Sequence, residues 1–257
     1  RLNDLAGPEF HGRGYVQDGL EKAGDHIFEI FDQGGLAPTK QSFIHSVNTF
    51  PDSMAVYIDG KRLQTGVDFI PDPNCGSAKG AFGLIWFTKD DLTNLKLQRR
   101  IFKPNNDERN AVLLDMRGIT NRDSIMEFRG LAYAFAEKVP VIIRSSEKFT
   151  WSVGYKQYHH PILEVRDSLI PEGLDSIRLN VNNEFVREFE SENIIAVVPG
   201  KKKNKFILVT AHYDHLGGMG DNVYVPGAND NASGVTMMLS LFDHYSRNYP
   251  KYTMVFI

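Results

Sequence analysis

Cysteine is nearly absent: Cys75, in "DPNCGSAKG", is the only one in 257 residues. A single thiol excludes an intramolecular disulfide. It also excludes CxxC and Cys2His2 metal sites, so a transition metal would have to rest on histidines and carboxylates. The same count leaves the compartment open. No run reaches the roughly 18 apolar residues that span a bilayer, and "RLNDLAGPEF" has neither the basic nor the apolar region of a signal peptide. An excess of one charge is missing as well. With 29 Lys+Arg against 32 Asp+Glu, the net charge of -3 advertises neither a nucleic-acid groove nor an anionic-membrane surface. No internal repeat or low-complexity segment occurs. What is present, 42% hydrophobic and 24% charged residues, is a globular composition long enough for one large domain or two ordinary ones.

Residues 16–33 place Leu20, Ala23, Ile27, Ile30 and Phe31 at helical spacing, and "GGLAP" ends the run with glycine and then proline. Before this helix, "PEFHGRG" reads as a glycine-rich turn in which His11 and Arg13 serve structure more readily than chemistry. From about 43 to 175 the texture changes to short β-like runs, "MAVYIDG", "DFIP", "FGLIWF", "AVLLDM", "VPVIIRS" and "PILEV". One helical segment, Ser124 to Lys138, stands between two of them as a β-α-β unit. This stretch is expected to be an inserted β-rich domain. His159 and His160 lie within it, and a surface or structural role is expected for both. Lys201 to Lys203 sit at a hairpin tip, where a solvated turn is a better account than a phosphate track. A helix from about Asn231 to Arg247 and a strand, "YTMVFI", complete the chain.

The least ordinary stretch is "HYDHLGGMGDNVYVPGANDNASG", residues 212–234. If strand alternation continues through "KFILVTAHYDHLG", His212 and Asp214 share one face and Tyr213 and His215 the other. They would stand at the carboxyl end of the strand, where open α/β sheets place ligands. A histidine that ligates a metal through one ring nitrogen commonly gives its other N–H to a carboxylate, and Asp214 is within range. Asp230 precedes a helix, and by itself it, or Asn231, could equally be a helix cap.

The joint pattern, H-x-D at a strand end followed by G-A-x-D-N-A-S-G at a helix start, resembles the co-catalytic di-zinc aminopeptidase family. That family includes glutamate carboxypeptidase-like and transferrin-receptor-like proteins and the glutaminyl cyclases. The opening "LAGPEFHGRG", the following helix and "GLAP" resemble its N-terminal entry, and the β-rich stretch resembles its protease-associated insertion. The resemblance implies an α/β fold, a zinc-exopeptidase-like mixed sheet flanked by helices. Residues 1–42 and 176–257 would form the peptidase part, with 43–175 inserted. It implies that His212 ligates one zinc, that Asp230 bridges two zinc ions and that Asp214 orients His212. It further implies a cis peptide after Asp230, peptide substrates and a secreted or periplasmic location. The family's general-base glutamate and remaining ligands follow the next strand, so on this expectation they lie beyond Ile257 and the site is incomplete within 257 residues. The strand 252–257 would then expose an unpaired edge. Asp243 and His244 cannot substitute, because about 20 Å of helix separates them from Asp230. Within the same fold, a single-zinc glutaminyl cyclase-like enzyme and a non-catalytic receptor are the alternatives. Oligomeric state and side-chain specificity are not encoded in any of these motifs.

Overall fold

The computed structural model describes residues 1–104, 109–146, 148–220 and 223–257. In chain order the elements are α1 (Leu2–Leu5), α2 (Gly19–Gln33), β1 (Thr39–Thr49), β2 (Ala55–Ile58), β3 (Lys61–Leu63), β4 (Phe69–Pro71) and β5 (Ala78–Phe87). Then come α3 (Leu95–Phe102), β6 (Asn110–Asp115), α4 (Arg122–Ala136), β7 (Val141–Ser145), β8 (Ile162–Arg166) and β9 (Ser176–Val181). The last are β10 (Glu184–Val198), β11 (Lys202–Val209), α5 (Ser233–Arg247) and β12 (Tyr252–Phe256). The chain divides into two compact units, one of residues 1–46, 187–218 and 224–257, the other of 47–186 and 219–223.

The first unit holds a four-stranded sheet in the order β1-β10-β12-β11. β11 and β12 are parallel neighbours joined through α5, a β-α-β crossover, while β10 runs antiparallel to β12. Strand 252–256 is thus paired on both sides, contrary to the exposed edge expected for it. The edge on that side is β11, where Phe206, Ile207 and Leu208 are exposed. The crossover explains the difference, because it brings the later strand between two earlier ones.

Helices α2 and α5 contribute to one apolar core with the sheet. Ile27 and Phe31 of α2 meet Val235, Leu239 and Phe242 of α5, together with Ala196, Met254 and Phe256 from the strands. The spacing of these residues along each helix is one apolar stripe, which is why both segments are helical here. Phe242 packs against Phe31 with the rings tilted and their centroids 4.6 Å apart, and edge-on to Phe256 at 5.6 Å. α2 begins at Gly19 instead of residue 16, because Gln17 and Asp18 adopt left-handed backbone conformations, with φ of 54° and 58°, that a helix cannot include.

The second unit is built on an eight-stranded sheet in the order β3-β2-β9-β5-β6-β7-β8-β4. β5, β6, β7 and β8 are mutually parallel and the outer pairs antiparallel. Alternate residues of β6 enter different cores, Ala111 and Leu113 one, Val112 and Leu114 the other. Burial on both faces accounts for the unbroken apolar run "AVLLD". α4 lies against one face through Phe128, Ala132 and Phe135, capped by Asn121. β9 hydrogen-bonds to β2 and β5 of this unit, which therefore extends to residue 186. α3 has no counterpart in the sequence reading, since "LKLQRRIF" offers only one buried residue, Ile101.

Two outcomes follow from these cores. Phe242→Ala removes a fully buried ring and should cost about 3–5 kcal/mol, read as a lower urea midpoint. Cys75 is fully buried, and burial pushes its thiol well above the ordinary range. It should resist a thiol-specific dye in native buffer and react stoichiometrically once denaturant is added.

Candidate metal centre

β11 ends at Val209, although the backbone continues to pair for a short distance, Ala211 N–H donating to the Ile257 carbonyl at 3.0 Å. Beyond it the chain is irregular, so strand alternation does not govern residues 212–217. Loop contacts bring His212 and Asp214 together instead. Nδ1 of His212 lies 3.2 Å from Oδ1 of Asp214 and 3.2 Å from its carbonyl oxygen. Tyr15 donates its hydroxyl to the other Asp214 oxygen at 3.2 Å. With Nδ1 occupied, Nε2 of His212 faces outward and stands 3.3 Å from Oδ1 of Asp230. Both side chains are open to solvent, 56% and 68% exposed, so a ligand could reach the gap between them.

Asp230 does not cap α5. It has φ -118° and ψ 100°, the Asp230–Asn231 peptide is cis, and the helix starts at Ser233 without a side-chain cap. Asn231 turns its amide back to the His212 carbonyl, Nδ2 donating at 3.3 Å. The two halves of the motif are tied by this bond. His215, assigned by alternation to the opposite face, belongs to the same cluster: its Nδ1 lies 3.7 Å from Oδ2 of Asp230. Its ring is largely buried, and burial pulls its pKa below the ordinary value, with the nearby Asp230 opposing.

Arg13 explains why the loops hold this shape. It is 0% exposed, and among the described residues no carboxylate hydrogen-bonds to it. Nε donates to the Tyr213 carbonyl at 2.8 Å, Nη1 to those of Leu5 at 2.6 Å and Pro226 at 2.9 Å. Nη2 donates to those of Gly227 at 2.8 Å and Asp230 at 3.4 Å. A guanidinium has five N–H donors, and each finds a carbonyl. Burial lowers the Arg13 pKa, while Asp214 and Asp230 pull it back up. The glycines beside it allow the approach: a Cβ on Gly14 would overlap the backbone of Gly217, and one on Gly227, which sits at φ 60°, would overlap the His215 ring and the Arg13 guanidinium. The turn "HGRG" is structural, as read from sequence, yet what it structures is the candidate centre.

Other sequence candidates lie elsewhere. Asp243 pairs with Arg1 at 2.6 Å, and His159 pairs with Glu137. Tyr15 and His215 had no signal in the sequence beyond their closeness to glycines and to His212.

Residues 193–257 match the model of Peptidase family M28. That match covers the last 65 of the 257 residues. The chain is 31% identical over 105 residues to a vacuolar membrane protease of Eremothecium gossypii, and 34% identical over 70 residues to one of Laccaria bicolor. It spans 10% and 6% of the length of those proteins. Among solved structures it resembles a zinc aminopeptidase from Bacillus subtilis, with TM-score 0.63, 18% identity, and coverage of 99% of this chain and 58% of that one. A Peptidase M28 precursor from Shewanella amazonensis gives TM-score 0.60 and 19% identity, with 99% and 61% covered. The fold is therefore that of these α/β peptidases, a mixed sheet flanked by helices.

Replacing Arg13 should release all of these loops. Arg13→Ala should lower stability by at least about 3 kcal/mol, since each orphaned buried carbonyl costs roughly 1–3 kcal/mol. Arg13→Lys keeps the charge but offers three donors, and its urea midpoint should fall nearer to that of the alanine variant than to wild type.

Proposed function

We propose that this chain contributes to the active centre of a zinc-dependent aminopeptidase that hydrolyses the N-terminal bond of peptide substrates. The observation that supports this most is the pairing of an outward-facing His212 Nε2 with the Asp230 carboxylate, while Asp214 holds the opposite ring nitrogen. Imidazole and carboxylate suit zinc in donor chemistry, and an Asp on the far nitrogen fixes the tautomer that leaves Nε2 free. The residues fit the metal to that extent. Among the described residues no group of three or more His, Cys, Asp or Glu forms a metal-holding cluster. The reading thus requires further donors and a proton acceptor from outside the described residues.

His212 and Asp230 would hold the metal, with Asp230 bridging if two ions bind, and Asp214 would orient His212. Zinc, when bound, supplies Lewis acidity toward a peptide carbonyl and toward water. The chain's own part is geometric. Asp214 and Tyr15 restrain the imidazole, Asn231 ties the helix-side loop to the His212 carbonyl, and Arg13 anchors the backbone of both halves. We read the second unit as a protease-associated-like insertion, on its place within the sequence. We further propose a secreted or periplasmic location, which rests on the resemblance alone; the two curated relatives are named for a vacuolar membrane. Among the described residues no helix is long and apolar enough to cross a membrane.

The test is metal content together with kcat/KM on amino-acid anilides, measured on the whole protein. Asp230→Asn should lose metal and nearly all turnover, because a neutral amide does not replace a carboxylate between cations. His212→Ala should lose part of the metal. Asp214→Asn should be milder, with a loss of ~10–100-fold for a residue that acts through the ligand. Full activity in Asp230→Asn would overturn the assignment.

A further inference from the structure

The second unit contains a cavity of about 240 Å³ lined by charged side chains that are only partly paired. Asp72, Asn74, Arg129, Tyr133, Ser152 and Glu164 line it, over an apolar floor that includes Ile143. Arg129 and Tyr133 stand four residues apart on α4 and so project from one helix face. Glu164 comes from β8, and Asp72 directly follows β4, the strand paired with it.

The charged groups here are only partly engaged with one another. Glu164 is 8% exposed, yet among the described residues the hydrogen bond of its carboxylate is a single long one, from Arg129 Nη2 at 3.4 Å. The remaining guanidinium donors of Arg129 have no protein acceptor among the described residues. Asp72 accepts from Asn74 N–H at 2.8 Å and from Asn74 Nδ2 at 3.5 Å, both on Oδ1, which leaves Oδ2 without a described partner. Burial raises the Asp72 pKa, the expected response of a carboxylate that lacks a cation at contact distance. Arg–carboxylate pairs frequently close to bidentate geometry. This one stays open at a single long contact, and the carboxylate of Asp72 and the guanidinium of Arg129 line the same small cavity beside it.

The geometry points to a binding site for a free α-amino acid in the second unit. The α-ammonium would lie between the carboxylates of Asp72 and Glu164, and the α-carboxylate would take the unused donors of Arg129. A cavity of this volume holds one amino acid and excludes a folded partner. Opposite charges at the two ends of the ligand meet opposite charges on the wall, a match that neither an inorganic anion nor a neutral sugar makes. The inference does not rest on the peptidase reading, because all the lining residues belong to the second unit and binding is read without turnover.

The experiment is isothermal titration calorimetry on the whole protein with free L-amino acids, their N-acetyl derivatives, their amides and a monosaccharide. Free amino acids should bind, and blocking either end should weaken binding about 10–100-fold, the value of one charge-assisted contact. Arg129→Met should weaken the free acid by a similar factor while leaving the amide unchanged. Asp72→Asn should weaken the free acid and the amide but not the N-acetyl derivative. Thermal melting of each variant, unchanged within a few degrees, establishes that the fold is retained; Arg129→Lys, which keeps the charge, supplies a second reading of the same contact and should retain intermediate affinity. The inference is overturned if no free amino acid binds, if blocked derivatives bind equally well, or if the monosaccharide binds in their place.

Discussion

A cation sunk in a protein interior is unstable unless its donors find acceptors, and Arg13 meets that condition with backbone carbonyls alone. Those carbonyls come from Leu5, Tyr213, Pro226, Gly227 and Asp230, stretches far apart in sequence that share no sheet. One planar group therefore sets the spacing between the loop after β11 and the turn before α5. His212 stands one residue from an anchored carbonyl, that of Tyr213, and Asp230 carries one itself. Their 3.3 Å approach is a consequence of where the backbone is held, with Asn231 adding a direct tie between the two segments. With the Arg13 donors on carbonyls, the Asp214 carboxylate meets Tyr15 and His212, and that of Asp230 lies against His212.

Much of this was legible in the sequence. Apolar residues at helical spacing located α2 and α5, and the β-α-β pattern around "AVLLDM" located β6, α4 and β7. The H-x-D and D-N-A-S-G pieces marked His212, Asp214 and Asp230, which the structure brings together. What was not legible depends on contacts distant in sequence. His215 was misplaced because alternation was extended beyond Val209, where the strand stops and a loop sets side-chain direction. Tyr15 reaches Asp214 across 199 positions, and no local pattern announces such a contact. The place of β12 between β10 and β11 is likewise a fact of topology, since its own residues fit an edge or an interior strand equally well.

Helix starts illustrate the same limit at shorter range. The sequence offers apolar spacing from residue 16 and from 231, but α2 begins at Gly19 and α5 at Ser233. In both places the residues before the helix adopt non-helical backbone, Gln17 and Asp18 before α2, Asp230 and Asn231 before α5. Local propensity yields there to the geometry of the loops.

On the proposed function, the loops clasped by Arg13 present His212 and Asp230 as donors to one metal. The most direct measurement is anomalous diffraction at the zinc edge from crystals of the whole protein loaded with zinc. The account predicts a peak at bonding distance, about 2.0–2.2 Å, from both His212 Nε2 and an Asp230 carboxylate oxygen, with Asp214 still on Nδ1. A peak coordinated by neither residue, or one bound to Nδ1 with Asp214 displaced, would contradict it.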